Sequence, residues 1–159
     1  MTDEDRLADI ASAEDIYPAL EHHLGAVIGH KLFTLMVIDR ATNEAARVYS
    51  SNPDAYPVKG RKPLGDLTDW GNHVLGKGLP YIGYTADDIR SVFFDHETIA
   101  ALGCSSVLNL PVVSDGSVIG TVNLLHEEGW YRLDHAQRGA PFATLLVPRY
   151  LAWARGQAG

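Results

Sequence analysis

The chain has 159 residues, a length that suits one domain, and 46% of them are hydrophobic and 21% charged, the usual mixture of a globular protein. The formal net charge of −7 argues against non-specific binding to nucleic acid, and the single cysteine excludes an intramolecular disulfide, which favours a reducing compartment, the cytoplasm. The N-terminus is acidic and unlike a secretory signal, and no stretch approaches the roughly 18 consecutive apolar residues of a membrane span.

The first third of the chain predicts a helix followed by two strands. Residues 1–11 are mostly polar, and we expect them either to fray or to extend the first helix. Ser12 resembles a helix N-cap, and apolar residues then recur at helical spacing as far as Gly29. Residues 32–38 (LFTLMVI) and 46–51 (ARVYSS) predict two strands joined by a turn. We expect a single domain over residues 12–156.

Residues 52–65 (NPDAYPVKGRKPLG) contain three prolines and two glycines. They predict a long irregular loop, with at most a short edge strand near Val58. Loops of this length often have a function, although a rigid surface connection fits this one equally well.

The remainder predicts helices around a hairpin. Residues 68–75 predict a helix, residues 79–84 a short strand, and residues 85–102 a broken helical region. Residues 105–113 and 117–125 predict the two strands of the hairpin. A helix is expected after Trp130 and as far as about Arg155, and its two prolines imply a late start or kinks. This order of elements predicts an α+β domain with an antiparallel sheet and helices on one face.

The hairpin has one apolar and one polar face. A three-residue loop, Ser114-Asp115-Gly116, would place Asn109 opposite Thr121 and Val107 opposite Asn123. A two-residue loop would put each asparagine beside an apolar residue on the opposite face. The polar face carries amides and a hydroxyl but no Lys, Glu or Arg. This pattern favours a covered ligand pocket over a solvent-exposed sheet face.

Several segments together resemble a GAF domain over residues 12–155. They are LFTLMVID, WGNHVLGKG, LPYIGY and, above all, ALGCSSVLNLPVVSDGSVIGTVNLLH. The resemblance implies a central antiparallel sheet of five or six strands, terminal helices on one face, and a ligand cavity on the other. Residues 68–75 and 85–102 would roof the cavity. It also implies a homodimer formed through the terminal helices and, because the domain fills almost all of the chain, a stand-alone GAF protein that reports to a separate regulatory partner.

Each ligand that is typical of GAF domains requires a characteristic sequence feature, which can be looked for in this chain. The NKFDE-type signature of cyclic-nucleotide binders is missing, and Cys104 lacks the following histidine that is common where a bilin is attached. A haem ligand at His73, His96 or His126 is supported by no spacing pattern. We therefore expect no cofactor and no metal.

An enzyme is the main alternative to a binding protein. Acid–base or thiol chemistry would use His96, Asp95 or Cys104. Free methionine-R-sulfoxide reductases are stand-alone GAF enzymes of this size, but a single cysteine cannot regenerate itself through an internal disulfide. Cys104 also fits the role of a small buried apolar residue. The question of an enzyme stays open at this point, with binding favoured.

The leading hypothesis is a sensory or regulatory protein that binds a small polar metabolite. Asn109, Thr121 and Asn123 would orient the ligand from the sheet. Trp70 and His73, three residues apart on one predicted helix face, would enclose it together with Tyr81. A third hypothesis is a purely structural dimerisation module, which would have no closed cavity above the sheet.

Overall fold

The computed structural model describes residues 1–64 and 68–158. Its strands are β1 (Leu32–Asp39), β2 (Glu44–Ser50), β3 (Arg61–Pro63), β4 (Tyr81–Gly83), β5 (Ser106–Ser114) and β6 (Ser117–His126). All neighbouring strands pair antiparallel, in the order β3-β2-β1-β6-β5-β4. The prediction of an α+β fold around an antiparallel sheet of five or six strands is confirmed.

The helices lie before, within and after the run of strands. They are α1 (Asp3–Ala11), α2 (Ile16–Val27), α3 (Asp69–Gly71), α4 (Ala86–Val92), α5 (His96–Ala101), α6 (Leu133–Thr144) and α7 (Val147–Ala158). A π-helical turn, Asn72–Gly76, continues α3 directly. Over residues 1–64 and 68–158, no helix combines the length and the apolar character that crossing a bilayer requires.

Residues 3–11 form a separate helix before the first predicted one. This helix is α1, which begins with a reciprocal capping box between Thr2 and Asp5 and buries Ile10 completely. Ser12 ends α1, and the N-cap of α2 is Asp15, whose carboxylate accepts a hydrogen bond from the Tyr17 N–H at 3.2 Å. Two short capped helices therefore replace the one that was expected.

Two other segments differ from their predictions. The edge strand expected near Val58 lies three residues later, in β3, and Gly65 at the end of the predicted loop is outside the described residues. The last helix is divided into α6 and α7. Pro148 is the second residue of α7, where the missing N–H leaves no helical hydrogen bond unmade.

The terminal helices cover one face of the sheet. Their buried side chains, with Leu146 between α6 and α7, pack against buried side chains of β1, β5 and β6. The contacts involve Leu20, Leu24, Phe142 and Tyr150 on the helices and Leu35, Leu108, Leu110 and Val122 on the strands. The apolar face predicted for the hairpin is thus the face that contacts these helices. Its polar face points to the other side of the sheet, where α3, α4 and α5 lie.

The hairpin turn is shorter than predicted. Asp115 and Gly116 alone form it, with φ values of 50° and 76°, and Ser114 pairs with Ser117. Two consecutive residues with positive φ make a type I′ turn, for which Asp-Gly is a preferred sequence because both residues tolerate the left-handed region. The prediction of a three-residue loop is wrong.

A β-bulge compensates for the short turn. Val113 pairs with Val118 but Val112 pairs with Gly120, so Ile119 is an extra residue on β6. The final register differs from the predicted one by two residues: Asn109 lies opposite Asn123 rather than Thr121. Because a shift of two preserves the side to which each residue points, the predicted division into an apolar and a polar face holds.

Candidate functional site

The face of the sheet opposite the terminal helices is covered by a roof, which consists of α3 with its π-helical turn, α4 and α5. Ile89 and Ile99 of the roof pack with Tyr56 against Leu32, Val107 and Leu125 of the sheet. A cavity of about 80 Å³ remains between sheet and roof. The polar side chains of the hairpin lie in this enclosed region.

A row of polar side chains crosses four adjacent strands under the roof. Tyr81 on β4 pairs with Asn109 on β5, Asn109 pairs with Asn123 on β6, and Asn123 pairs with Thr34 on β1. Directly paired residues point to the same side of a sheet. Asn109 and Asn123 are only 2% and 8% exposed, so their amides require partners within the protein or from a ligand.

The amides form a directed chain of hydrogen bonds. The Trp70 indole N–H, which can only donate, bonds to Oδ1 of Asn109 at 3.0 Å. Nδ2 of Asn109 then donates to Oδ1 of Asn123 at 2.8 Å, and Nδ2 of Asn123 donates to the Thr34 hydroxyl at 3.2 Å. The tryptophan thereby sets the orientation of both amides. Nδ2 of Asn123 also donates to the Thr34 carbonyl oxygen at 3.5 Å, so Asn109 keeps a second N–H, and each amide oxygen keeps a second acceptor site, for another partner.

Four of the six predicted ligand-binding residues line the cavity: Asn109, Thr121, Asn123 and Trp70. Thr121 lies opposite Pro111 on the hairpin and is 5% exposed. The structure therefore brings together the sheet residues and the aromatic roof residue that were singled out from the sequence.

His73 and Tyr81 are not part of the cavity lining among the described residues. Nε2 of His73 donates to the carbonyl oxygen of Pro80 at 2.7 Å, and its ring meets the Tyr81 ring edge-on. The predicted shared face assumed an α-helix, but the π-helical turn begins at Asn72 and adds a residue to that turn. Leu75, rather than His73, consequently faces the cavity with Trp70.

A charged region of the cavity contains two cationic residues that were not predicted, beside Asp95, which was a catalytic candidate. Arg47 on β2, Lys62 on β3 and Asp95 before α5 all line it, with Tyr56 from the preceding loop. The Tyr56 hydroxyl donates to Oδ2 of Asp95 at 2.7 Å, and the Arg47 guanidinium lies over the Tyr56 ring at 4.8 Å. Arg47 is the only charged residue in the predicted strand ARVYSS, and this feature of the sequence could have identified it as a candidate.

Burial perturbs the titratable groups of this region. It lowers the pKa of Arg47 and that of Lys62, and the Asp95 carboxylate opposes both effects. Burial and the hydrogen bond to Asp95 raise the pKa of Tyr56, so its hydroxyl stays protonated and remains a donor. Oδ1 of Asp95 and Nε of Arg47 are occluded and have no hydrogen-bond partner in the described part of the chain.

The three candidate catalytic residues occupy different environments. Asp95 lines the cavity, whereas His96 and Cys104 are absent from its described lining. Asp95 stands at the N-cap position of α5, but its side chain bonds to Tyr56 and makes no capping bond. Cys104 is 2% exposed within the apolar contacts beneath the roof. The three residues do not converge on one point of the cavity.

Cys104 is expected to be a poor nucleophile. Burial raises the pKa of its thiol, so at about pH 8 the thiolate fraction is smaller than in the unfolded chain. We therefore expect alkylation by iodoacetamide to be at least about tenfold slower when the chain is folded. Mass spectrometry counts the single added group over time, with and without urea. Equal rates in the two conditions would show that the folded chain neither shields the thiol nor suppresses its ionisation.

The third histidine considered as a haem ligand also lies elsewhere. His126 stacks on Trp130 with ring centroids 3.7 Å apart, and Nδ1 of His126 accepts the Glu127 N–H at 2.8 Å. Within residues 1–64 and 68–158, no group of three or more His, Cys, Asp and Glu side chains is arranged to hold a metal ion.

No family model and no curated protein matches this sequence, but solved structures match nearly all of it. The GAF domain of a phosphoenolpyruvate-protein phosphotransferase from Coxiella burnetii is 16% identical, with a TM-score of 0.72 over 98% of this chain and 94% of that one. The GAF domain of a two-component sensor histidine kinase from Bacillus halodurans is 14% identical, with a TM-score of 0.68 over 89% and 98%. A free methionine-R-sulfoxide reductase from Neisseria meningitidis, solved with its substrate, is 21% identical, with a TM-score of 0.65 over 99% and 89%. Identities this low establish a shared fold alone.

Proposed function

Since the chain has a GAF-like fold, whose solved examples include domains of sensory and regulatory proteins, we propose that it is a cytoplasmic regulatory domain that binds a small polar metabolite. The ligand lies between sheet and roof, and a separate partner protein senses the resulting change in the roof. The proposal includes a homodimer formed through the terminal helices, as the family resemblance implies.

One observation carries the proposal. Asn109, Thr121 and Asn123 stay almost fully buried on the face of the sheet that is away from the main core, beside a cavity. Burying two amides and a hydroxyl there is unfavourable unless they hold specific partners. A ligand bound to their remaining donors and acceptors accounts for their position, whereas a purely structural module would be served equally well by apolar residues.

Native mass spectrometry of freshly purified protein tests the proposal. We expect a retained ligand, seen as a mass above the bare chain, and about tenfold less retention in Trp70→Phe, which keeps an aromatic ring but loses the donor to Asn109. Trp130→Phe is the matched control, because the Trp130 N–H bonds to the Ile28 carbonyl outside the cavity. The bare chain alone, with no melting shift from small carboxylic acids, amides or amino acids, would contradict ligand binding.

An enzyme is the second candidate, supported by the Asp95 carboxylate in the cavity lining. Asp95 would act there as a general acid or base, without His96 or Cys104. A retained compound that is recovered unchanged after incubation favours binding. Turnover that disappears in Asp95→Asn would favour catalysis.

A further inference from the structure

The described lining of the cavity carries one positive charge in excess. Arg47 and Lys62 contribute positive charges and Asp95 a negative one, while the other described lining residues are apolar or neutral. Arg47, Lys62 and Asp95 are half-buried, and removing a charge even partly from water is unfavourable unless the charge is paired. The excess of positive charge therefore indicates the sign of the charge on the ligand.

The three charges do not neutralise one another within the protein. Among the described residues, neither Arg47 nor Lys62 lies within ion-pair distance of Asp95. Asp95 accepts a hydrogen bond from the Tyr56 hydroxyl, and Nη1 of Arg47 donates to the neutral Pro57 carbonyl at 3.1 Å. Nζ of Lys62 lies over the rings of Phe93 and Phe94, at 5.5 Å and 5.0 Å from their centroids. Aromatic rings attract a cation but supply no counter-charge.

The environment of Lys62 favours an anionic ligand. Burial lowers its pKa, so the charged ammonium is held at a cost that a nearby anion would offset. The rest of the cavity is mainly apolar, with side chains such as Leu32, Met36 and Leu125. A volume of about 80 Å³ holds a molecule of roughly five to eight heavy atoms, at about 10–15 Å³ for each water-sized group.

We propose that the ligand is a small monocarboxylate, whose carboxylate lies between Lys62 and Arg47 and whose short tail extends along the apolar part of the cavity. This inference rests on the proposed binding function. One negative charge balances the excess. A phosphate monoester carries nearly two negative charges and would reverse it, and a zwitterionic amino acid, being neutral overall, would leave it in place.

Propionate and propionamide provide a matched pair of probes, because they have the same heavy-atom count and nearly the same shape but differ in charge. Two-dimensional ¹H–¹⁵N NMR of the full chain measures their binding through the side-chain amide signals of Asn109 and Asn123. We expect propionate to bind at least about tenfold more tightly than propionamide. Lys62→Met and Arg47→Met should each remove most of this preference. Lys77→Met, the same change at an exposed site outside the cavity, should leave it intact.

The possible results separate this inference from the proposed function. Equal binding of the two probes, or a preference unchanged in Lys62→Met, would overturn the carboxylate assignment while leaving a binding cavity. Tighter binding of propylammonium would assign the ligand's charge to Asp95 instead. Shifts confined to residues around Arg149 would place carboxylate binding outside the cavity and overturn the inference. If no probe binds and purified protein retains no ligand, both proposals fail. Circular dichroism establishes that each variant is folded.

Discussion

Gly120→Ala is expected to lower the free energy of unfolding by about 3 kcal/mol, at the upper end of the usual effect of overpacking. A β-carbon at this position would lie 2.4 Å from the Met36 carbonyl oxygen and 2.5 Å from the Tyr150 ring. The Met36 carbonyl belongs to the central strand β1. Tyr150 is fully buried, and its hydroxyl donates to the Thr121 carbonyl at 3.0 Å, so neither group can move without disturbing others.

Gly156→Ala is the matched control for this substitution. Gly156 lies in α7, and a β-carbon there would meet nothing within 4 Å. Alanine favours helix more than glycine does, so this variant should be unchanged or more stable by up to about 1 kcal/mol. Urea unfolding of both variants gives the two values. Equal stabilities would show that α7 does not lie closely against β6.

Asn123→Ala is expected to lower the free energy of unfolding by roughly 2–4 kcal/mol, because it leaves two buried groups without their partner. Asn123 accepts from the Asn109 amide and donates to the Thr34 hydroxyl, and the replacement alanine can do neither. The same change should abolish retention of the ligand. Asn72→Ala, at an exposed site, should change stability by no more than about 0.5 kcal/mol.

A double-mutant cycle with Asn109→Ala isolates the bond between the two amides. Since each single substitution leaves one group of the other amide without its partner, the combined loss should be smaller than the sum of the single losses by about 1 kcal/mol. Strict additivity would indicate that the two amides act independently, and would contradict the directed hydrogen-bond chain from Trp70 to Thr34.

The two faces of the sheet were predictable because alternation along a strand is a local property. Asn109, Thr121 and Asn123 were assigned to the correct side, although the pairing between the strands was wrong. The register depended on the Asp115-Gly116 turn and on a bulge at Ile119. A bulge is determined by contacts between strands and with the covering helices, and no residue type marks it in this sequence.

The charged side chains of the cavity depend on contacts between distant parts of the chain. Lys62 faces the cavity because β3 pairs with β2, where Ala45 is its neighbour, and β3 lies in a segment whose prolines and glycines predicted an irregular loop. His73 was misplaced for a related reason: the π-helical turn that separates it from the face of Trp70 has no sequence signature. Local patterns identified the sheet side of the site but not its two cationic residues.

The two outer strands, β3 and β4, have three residues each. A short edge offers few free N–H and C=O groups to a strand from another molecule, and Arg61, Lys62 and Pro63 make the β3 edge an even poorer template. The sheet is thereby protected from growing edge to edge into aggregates. When two copies of this chain associate, they are expected to meet through side-chain surfaces rather than through one continuous intermolecular sheet.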